Sequence, residues 1–313
     1  MKNLIVSTSP HFHAKATTPT IMRDVLIALA PAAIAAVVLF GFRALLILAV
    51  CVATCVASEF IFNLIIKKKQ TVSDLSACVT GTLLALSLPA TTSLWQCLIG
   101  SIFAIVVVKC LFGGIGCNFA NPAVTARVFM LIAFATSIAG GTITNFQSVD
   151  LIGSATPLDA IKMGNASALP SLLDMLLGNR GGAIGETCVL ALVLGGIYLI
   201  ARKVIYWHTP AIFIGTVFLL SLAIKQDLTV ALYQILGGGV VLGAFFMATD
   251  YSTTPINKTG KMVFAFGCGV ITVLIRFWGS YPEGVSFAIL LMNILAPYIE
   301  KLCAKRPFGK EGK

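Results

Sequence analysis

Charge is scarce in this chain. Of 313 residues only 11% are charged, twelve of them acidic, and there are three histidines. Soluble domains carry about 25% charged residues, so a fold wetted on every side is excluded. Zinc-ligand spacing, a Walker loop and a hydrolase triad are all missing, and His11, His13 and His208 stand alone beside apolar segments. They are given no catalytic role. None of the nine cysteines forms a Cys-x-x-Cys pair, and nearly all lie inside apolar runs, which reads as buried thiols rather than a metal or cluster site. The start, Met1 to Thr20, is polar and lacks the basic and short apolar regions of a cleavable signal, so the first apolar segment is expected to stay as a membrane helix.

Apolar residues are abundant instead: 58% are hydrophobic and the mean hydropathy is +0.96. Such a composition implies an all-α polytopic membrane protein. A bilayer core about 30 Å thick takes roughly 20 apolar residues per helix, fewer where a helix is broken inside protein. Ten segments qualify: 25–40, 44–66, 75–88, 94–112, 122–139, 185–201, 209–224, 229–248, 262–278 and 284–302. The formal charge of +10 comes from residues flanking these segments, which points to topology and not to nucleic acid. With both termini inside, most of the 22 lysines and arginines, Lys109 among them, fall on the cytoplasmic side. The chain then divides into a cytoplasmic N-terminal segment 1–24, a five-helix repeat 25–139, an outer loop 140–184, a second five-helix repeat 185–302 and a basic tail 303–313. Five helices on each side of the loop imply an inverted repeat with broken helices. LFGGIGCNFANPAVTARV (111–128) and RFWGSYPEGVSFAILL (276–291) support it, each running from a helix end through glycines and a proline into the next helix.

Three stretches carry the chemistry. In the outer loop, Thr156-Pro157-Leu158-Asp159 is a helix start, with threonine at the N-cap, proline at N1 and an acid at N3. The same stretch suits a modified hydroxyl: small neighbours leave it reachable, and an esterified phosphate would meet the free N–H groups of a helix start. Asp159 would oppose that charge and Lys162 offset it. The second stretch, Gly113 to Pro122, sets glycines before an Asn-Pro helix start. Arg127 just beyond it is costly inside a membrane and needs an interior partner, either a phosphate or a carboxylate such as Asp250 or Glu59. The third, Thr249 to Pro255, is a polar loop after the glycine-rich 237–239.

Through DLIGSATPL (150–158), GCNFANPAVTARVF (116–129) and ATDYSTTPINKTGKMVFAFGCGV (248–270), the whole chain resembles the D subunit of the Rnf electron transport complex. It is more distantly similar to the B subunit of the Na+-translocating NADH:quinone oxidoreductase. The resemblance implies FMN joined through its phosphate to Thr156, in a pattern that Asp150 and Ala155 match and from which Gly153 and Ser154 depart. It also implies a second, non-covalent flavin such as riboflavin or FMN near the cytoplasmic side, with Asn118, Asn121, Arg127 and Asp250 as candidate contacts. Implied partners are the C, G, A, E and B subunits, including a second covalent-FMN subunit and iron–sulfur subunits, together with a flavin transferase and the bilayer of a bacterial cytoplasmic membrane. The implied activity is electron transfer between ferredoxin and NAD+ coupled to Na+ or H+ movement. With no nucleotide fingerprint, the isolated chain is expected to show no turnover with NADH. On architecture alone, a secondary transporter or channel for a small solute is the alternative.

Overall fold

The structure, a computed structural model, describes residues 17–138, 141–143, 152–154, 156–163, 169–279, 281 and 283–304. Its first helix, α1, runs Thr18–Ile65 and is non-helical inside only at Gly41 (φ 64°, ψ −153°). A straight helix would hold Met22 and Glu59 about 55 Å apart at 1.5 Å per residue. Met22 nevertheless lines the same cleft as Lys109, whose ammonium pairs with Glu59. The two arms therefore fold back on each other at Gly41. The segments 25–40 and 44–66 are two arms, as the hydropathy implies, joined by one left-handed glycine rather than by a loop.

After a short 3-10 turn (Val72–Asp74) come α2 (Ser76–Ser87), α3 (Leu94–Ile102), which continues as a π-helix (Phe103–Cys110), α4 (Pro122–Ala133) and α5 (Ala135–Ile138). The central connection holds two strands, β1 (Gly141–Ile143) and β2 (Ile152–Ser154), and two short helices, α6 (Pro157–Lys162) and α7 (Leu172–Leu177). Then follow α8 (Val189–Ala201), α9 (His208–Lys225), α10 (Leu228–Leu236) and α11 (Val240–Leu242), the last extended by a second π-helix (Gly243–Met247). The final pair is α12 (Lys258–Trp278) and α13 (Val285–Leu302).

Strands β1 and β2 pair antiparallel, Thr142 opposite Gly153, so the all-α expectation gains one small hairpin leading up to Thr156. Alternation is too short over three residues to be legible in sequence.

The protein is a membrane protein. Ile34, Val38, Leu219 and Phe266 are all more than half exposed on the outer faces of α1, α9 and α12, where only lipid is a suitable solvent. Among the described residues, α1, α9, α12 and α13 are long and apolar enough to cross a bilayer, and α10 with Val240–Met247, bent by 58°, makes a fifth. The other apolar helices, α2, α4, α8 and Leu94–Cys110, are shorter, at 10–17 residues. Ten crossings of equal rank are thus not what the helices show. Hydropathy sees apolar runs but not that α2 stops at buried Ser87 or that α4 starts at buried Asn121. Such ends are tolerated in a membrane because protein covers and caps them.

Close backbone approach holds the layers together. A Cβ on Gly81 would lie 2.7 Å from the Val52 Cα, and one on Gly195 would lie 2.1 Å from the Ala28 carbonyl oxygen, so α2 and α8 both rest directly on α1. All nine cysteines are free. Cys51, Cys55, Cys97, Cys110 and Cys268 are buried as expected, whereas Cys117, in the glycine turn before α4, is exposed.

Candidate functional site

At one end of the bundle a cleft opens between the two π-helical stretches. A π-turn often marks a functional site because its wider ring redirects side chains. Here the i→i−5 bonds from Leu111 N to Val106 O (3.0 Å) and from Ala248 N to Gly243 O (2.7 Å) close the two turns. Apolar walls come from Val79, Leu83, Ile115, Phe245 and Phe246, and polar groups gather at the rim.

Asn118, Asn121 and Asp250, from two stretches more than 120 residues apart, all line this cleft. Asn121 is the N-cap of α4, its side-chain oxygen accepting from Ala123 N at 3.0 Å and Val124 N at 3.4 Å. Its backbone N–H donates to the Asn293 side chain at 3.1 Å, with the Asn293 amide oriented to satisfy its neighbours. Asp250 organises its own loop, accepting from Ser252 N (3.2 Å), Ser252 Oγ (3.1 Å) and Thr253 Oγ1 (3.2 Å). Burial pushes the Asp250 carboxyl up from the ordinary aspartate value, and the bonds from Ser252 and Thr253 only partly oppose this. The Asn118 side-chain oxygen is buried without a partner. The cleft thus sets an unpartnered acceptor, Asn118 Oδ1, beside apolar walls, an arrangement that suits a largely apolar guest with an N–H or O–H donor at its edge.

Arg127 is elsewhere. Its guanidinium pairs with Glu283, just before α13, and not with Asp250 or Glu59. The sequence offered both carboxylates as partners, but Asp250 is engaged by hydroxyls of its own loop and Glu59 by Lys109. Arg127 Nη1 has no partner, and the residue faces a small chamber with Ser87, Glu186, Gly238, Gly239 and Glu283. Beside this chamber two more buried arginines cap the C-terminal end of α10. Arg276 donates to the carbonyls of Gly237 (3.0 Å) and Gly238 (3.1 Å), and Arg180 donates to that of Leu236 (2.7 Å). Cations at a helix C-terminus oppose its dipole, so the break at 237–239 is electrostatically supported.

Thr156 starts α6 as the sequence implies. Its hydroxyl accepts from Asp159 N at 3.3 Å and donates to Asp159 Oδ2 at 2.7 Å, and Thr156 N donates to the same oxygen at 2.9 Å, a closed capping box. The hydroxyl was expected to be reachable, yet Thr156 is only 5% exposed, because the cap folds it against Asp159. Lys162 does not face it; its ammonium donates to the Gly279 carbonyl at 2.6 Å. Ser154 is paired through its backbone with Gly141, and Ala155 and Asp150 lie outside the described residues.

Sequence reasoning missed Lys109 and Glu283 as site residues. The signal for Lys109 was a lysine with apolar neighbours on both sides, which charge counting treated as a flank.

The profile of the NQR2, RnfD, RnfE family matches residues 5–309. The chain belongs to that family. Among its relatives is the D subunit of the Na(+)-translocating ferredoxin:NAD(+) oxidoreductase complex of Acetobacterium woodii, 46% identical over 312 residues that cover 98% of this chain and 96% of the relative. The D subunit of the proton-translocating ferredoxin:NAD(+) oxidoreductase complex of Clostridium ljungdahlii is 37% identical, covering 98% and 97%. The D subunit of the ion-translocating oxidoreductase complex of Stutzerimonas stutzeri is 36% identical, covering 96% and 94%. Of the three stretches that carry the resemblance, two meet at the cleft and the third contains Thr156.

Proposed function

We propose that this chain is the D-type membrane subunit of an ion-translocating ferredoxin:NAD+ oxidoreductase complex. In this reading Thr156 carries FMN through a phosphoester, and the cleft holds a second, non-covalent flavin. The observation that supports it most is the convergence of Asn118, Asn121 and Asp250 on one apolar slot, together with the unpartnered Asn118 oxygen. Flavins supply one- and two-electron chemistry, while the protein sets position and potential. Here Asn118 and Asn121 orient a ring edge, Phe245 and Phe246 exclude water, and Asp250 holds its loop closed over the rim. Arg127 serves the Glu283 pair and not the flavin. The same reading has ten crossings in an inverted repeat, counting the α1 arms and the short broken helices, with both termini and the cleft cytoplasmic and Thr156 on the outer side. Partners are the other subunits of the complex, including iron–sulfur and covalent-FMN subunits, and a flavin transferase.

The test is a denaturing gel of the chain co-expressed with a flavin transferase, viewed by flavin fluorescence. A band is expected in the parent and none in Thr156→Ala; a band surviving the substitution overturns the attachment site. Acid-extractable flavin should fall in Asn118→Ala, and unchanged flavin there overturns the cleft assignment. A secondary transporter or channel is the second reading, supported by the helix break between α10 and α11, where the pair is bent by 58°. It predicts solute flux from the chain alone, with no flavin in either assay.

A further inference from the structure

The cleft has a buried cation on its wall that neither asparagine stretch accounts for. Lys109 sits at the end of the first π-helix, is 2% exposed, and lines the cleft with Asn118, Asn121 and Asp250. A lysine so placed in an apolar bundle is costly unless it is paired and used. Its ammonium donates to Glu59 Oε2 at 2.8 Å and to Ser76 Oγ at 2.5 Å. The Ser76 hydroxyl donates in turn to Asp74 Oδ1 at 2.6 Å, and Asp74 is half-buried at the protein boundary. On the other side, Glu59 Oε1 accepts from the exposed Thr71 hydroxyl at 2.6 Å, and Asn63 holds Thr71 at 3.0 Å. Short hydrogen bonds thus run without a gap from the boundary to the cleft.

We propose that Asp74, Ser76 and Lys109 form a proton relay that delivers protons from the surface of this end of the bundle to the guest of the cleft. The proposal rests on the reading that the guest is a flavin. When a reduced one-electron carrier of the complex passes an electron into the cleft, Lys109 Nζ gives up one proton to the guest. Its freed lone pair takes the Ser76 hydroxyl proton, and Ser76 takes a replacement that the Asp74 carboxylate, the acceptor of the Ser76 hydroxyl at rest, has first taken up from water. One electron and one proton enter the cleft, and one proton leaves the aqueous side. Glu59 is a positioning residue that holds Nζ against the cleft wall throughout.

The groups facing Lys109 come from every neighbouring element. From α1 they are Glu59 and the Cys55 thiol; from the 3-10 turn and α2 they are Asp74, Ser76 and the Cys78 thiol; beside it is Cys110; and across the cleft are Asp250 and Tyr251. Ser76 is the single uncharged link, so it can be broken without leaving a buried charge.

The experiment uses the purified complex. Its non-covalent flavin is reduced by stopped flow while a pH-indicator dye follows proton uptake. In the parent, uptake keeps pace with reduction. Ser76→Ala should keep its flavin and its midpoint potential but slow uptake by about a hundredfold, the low end of what a positioned proton donor contributes. Ser76→Thr, which restores a hydroxyl, should recover the rate. The pair-free double variant Lys109→Met/Glu59→Gln should be as slow as Ser76→Ala, and no hydroxyl at position 76 should rescue it. Uptake at the parental rate in a flavin-loaded Ser76→Ala complex overturns the relay. Loss of flavin from Ser76→Ala and Ser76→Thr alike also overturns it, assigning these residues to structure alone. Failure of the flavin reading shows separately, before any kinetics, as full non-covalent flavin in Asn118→Ala.

Discussion

The hydroxyl of Thr156 donates its proton to Asp159 Oδ2 at 2.7 Å, so the group read as the flavin anchor is the one that closes the cap of α6. Esterification must remove that proton and set a phosphate against the carboxylate. Asp159→Asn, which keeps an accepting oxygen without the charge, is therefore expected to load flavin faster than the parent in a time course of in-gel fluorescence with the transferase. Slower loading would mean that the carboxylate assists transfer. Thr156→Ser should keep both cap and band, and Thr156→Val should lose the band and about 1 kcal/mol of local stability.

Arg127 and Glu283 are joined across 156 residues of sequence. Removing one partner of a buried pair costs roughly 3–5 kcal/mol. Because the Glu283 side chain is 22% exposed, Arg127→Ala is placed at the low end, about 3 kcal/mol. Arg127→Met/Glu283→Leu should recover much of that loss in thermal unfolding of the detergent-solubilised protein. Non-covalent flavin content should be unchanged in the double variant, and its loss would return Arg127 to the cofactor.

Gly238 occupies φ +64°, and a Cβ there would lie 2.2 Å from Arg276 Nη2 and 2.5 Å from Leu158 Cδ1. Gly238→Ala should displace the guanidinium from the α10 carbonyls and lower the yield of folded protein sharply. Gly215→Ala is the control: nothing lies within 4 Å of its added Cβ, so yield and unfolding temperature should hold. Equal behaviour of the two would show that the Arg276 cap does not support the break.

Burial raises the Asp250 carboxyl above its ordinary value. The folded state then keeps this proton over a window where the unfolded chain has lost it. This contribution is full below the ordinary aspartate value of about 3.9 and is lost as pH rises through the folded value. Unfolding temperature should therefore decline across that window in the parent and less steeply in Asp250→Asn. Parallel curves for the two proteins would remove Asp250 as the cause.

The site was legible where local chemistry decides it. Asn121-Pro122 and Thr156-Pro157 read as helix starts because capping depends on two or three neighbouring residues, and both are capped as read. Asn118 and Asp250 were named through the family resemblance, since a glycine turn and a polar loop read locally as ordinary structure; the structure places both on one cleft. The partner of Arg127 was not legible, since an ion pair between distant segments leaves no local pattern. Lys109 was misjudged for a related reason: counting positive charge by sequence neighbours cannot see Glu59 arriving from another helix to cover it. The two arms of α1 were legible as the segments 25–40 and 44–66, but that a single residue, Gly41, makes the fold-back was not.

The π-helical walls also make the cleft a matter of counting. Removing one residue from α3, ahead of the Phe103–Cys110 stretch, would turn every later side chain by about 100° about the helix axis. The apolar composition would be untouched and the helix itself shortened by only about 1.5 Å. Lys109, however, would turn away from Glu59 and from the slot, and the chain would keep its membrane helices while losing the cation at its centre.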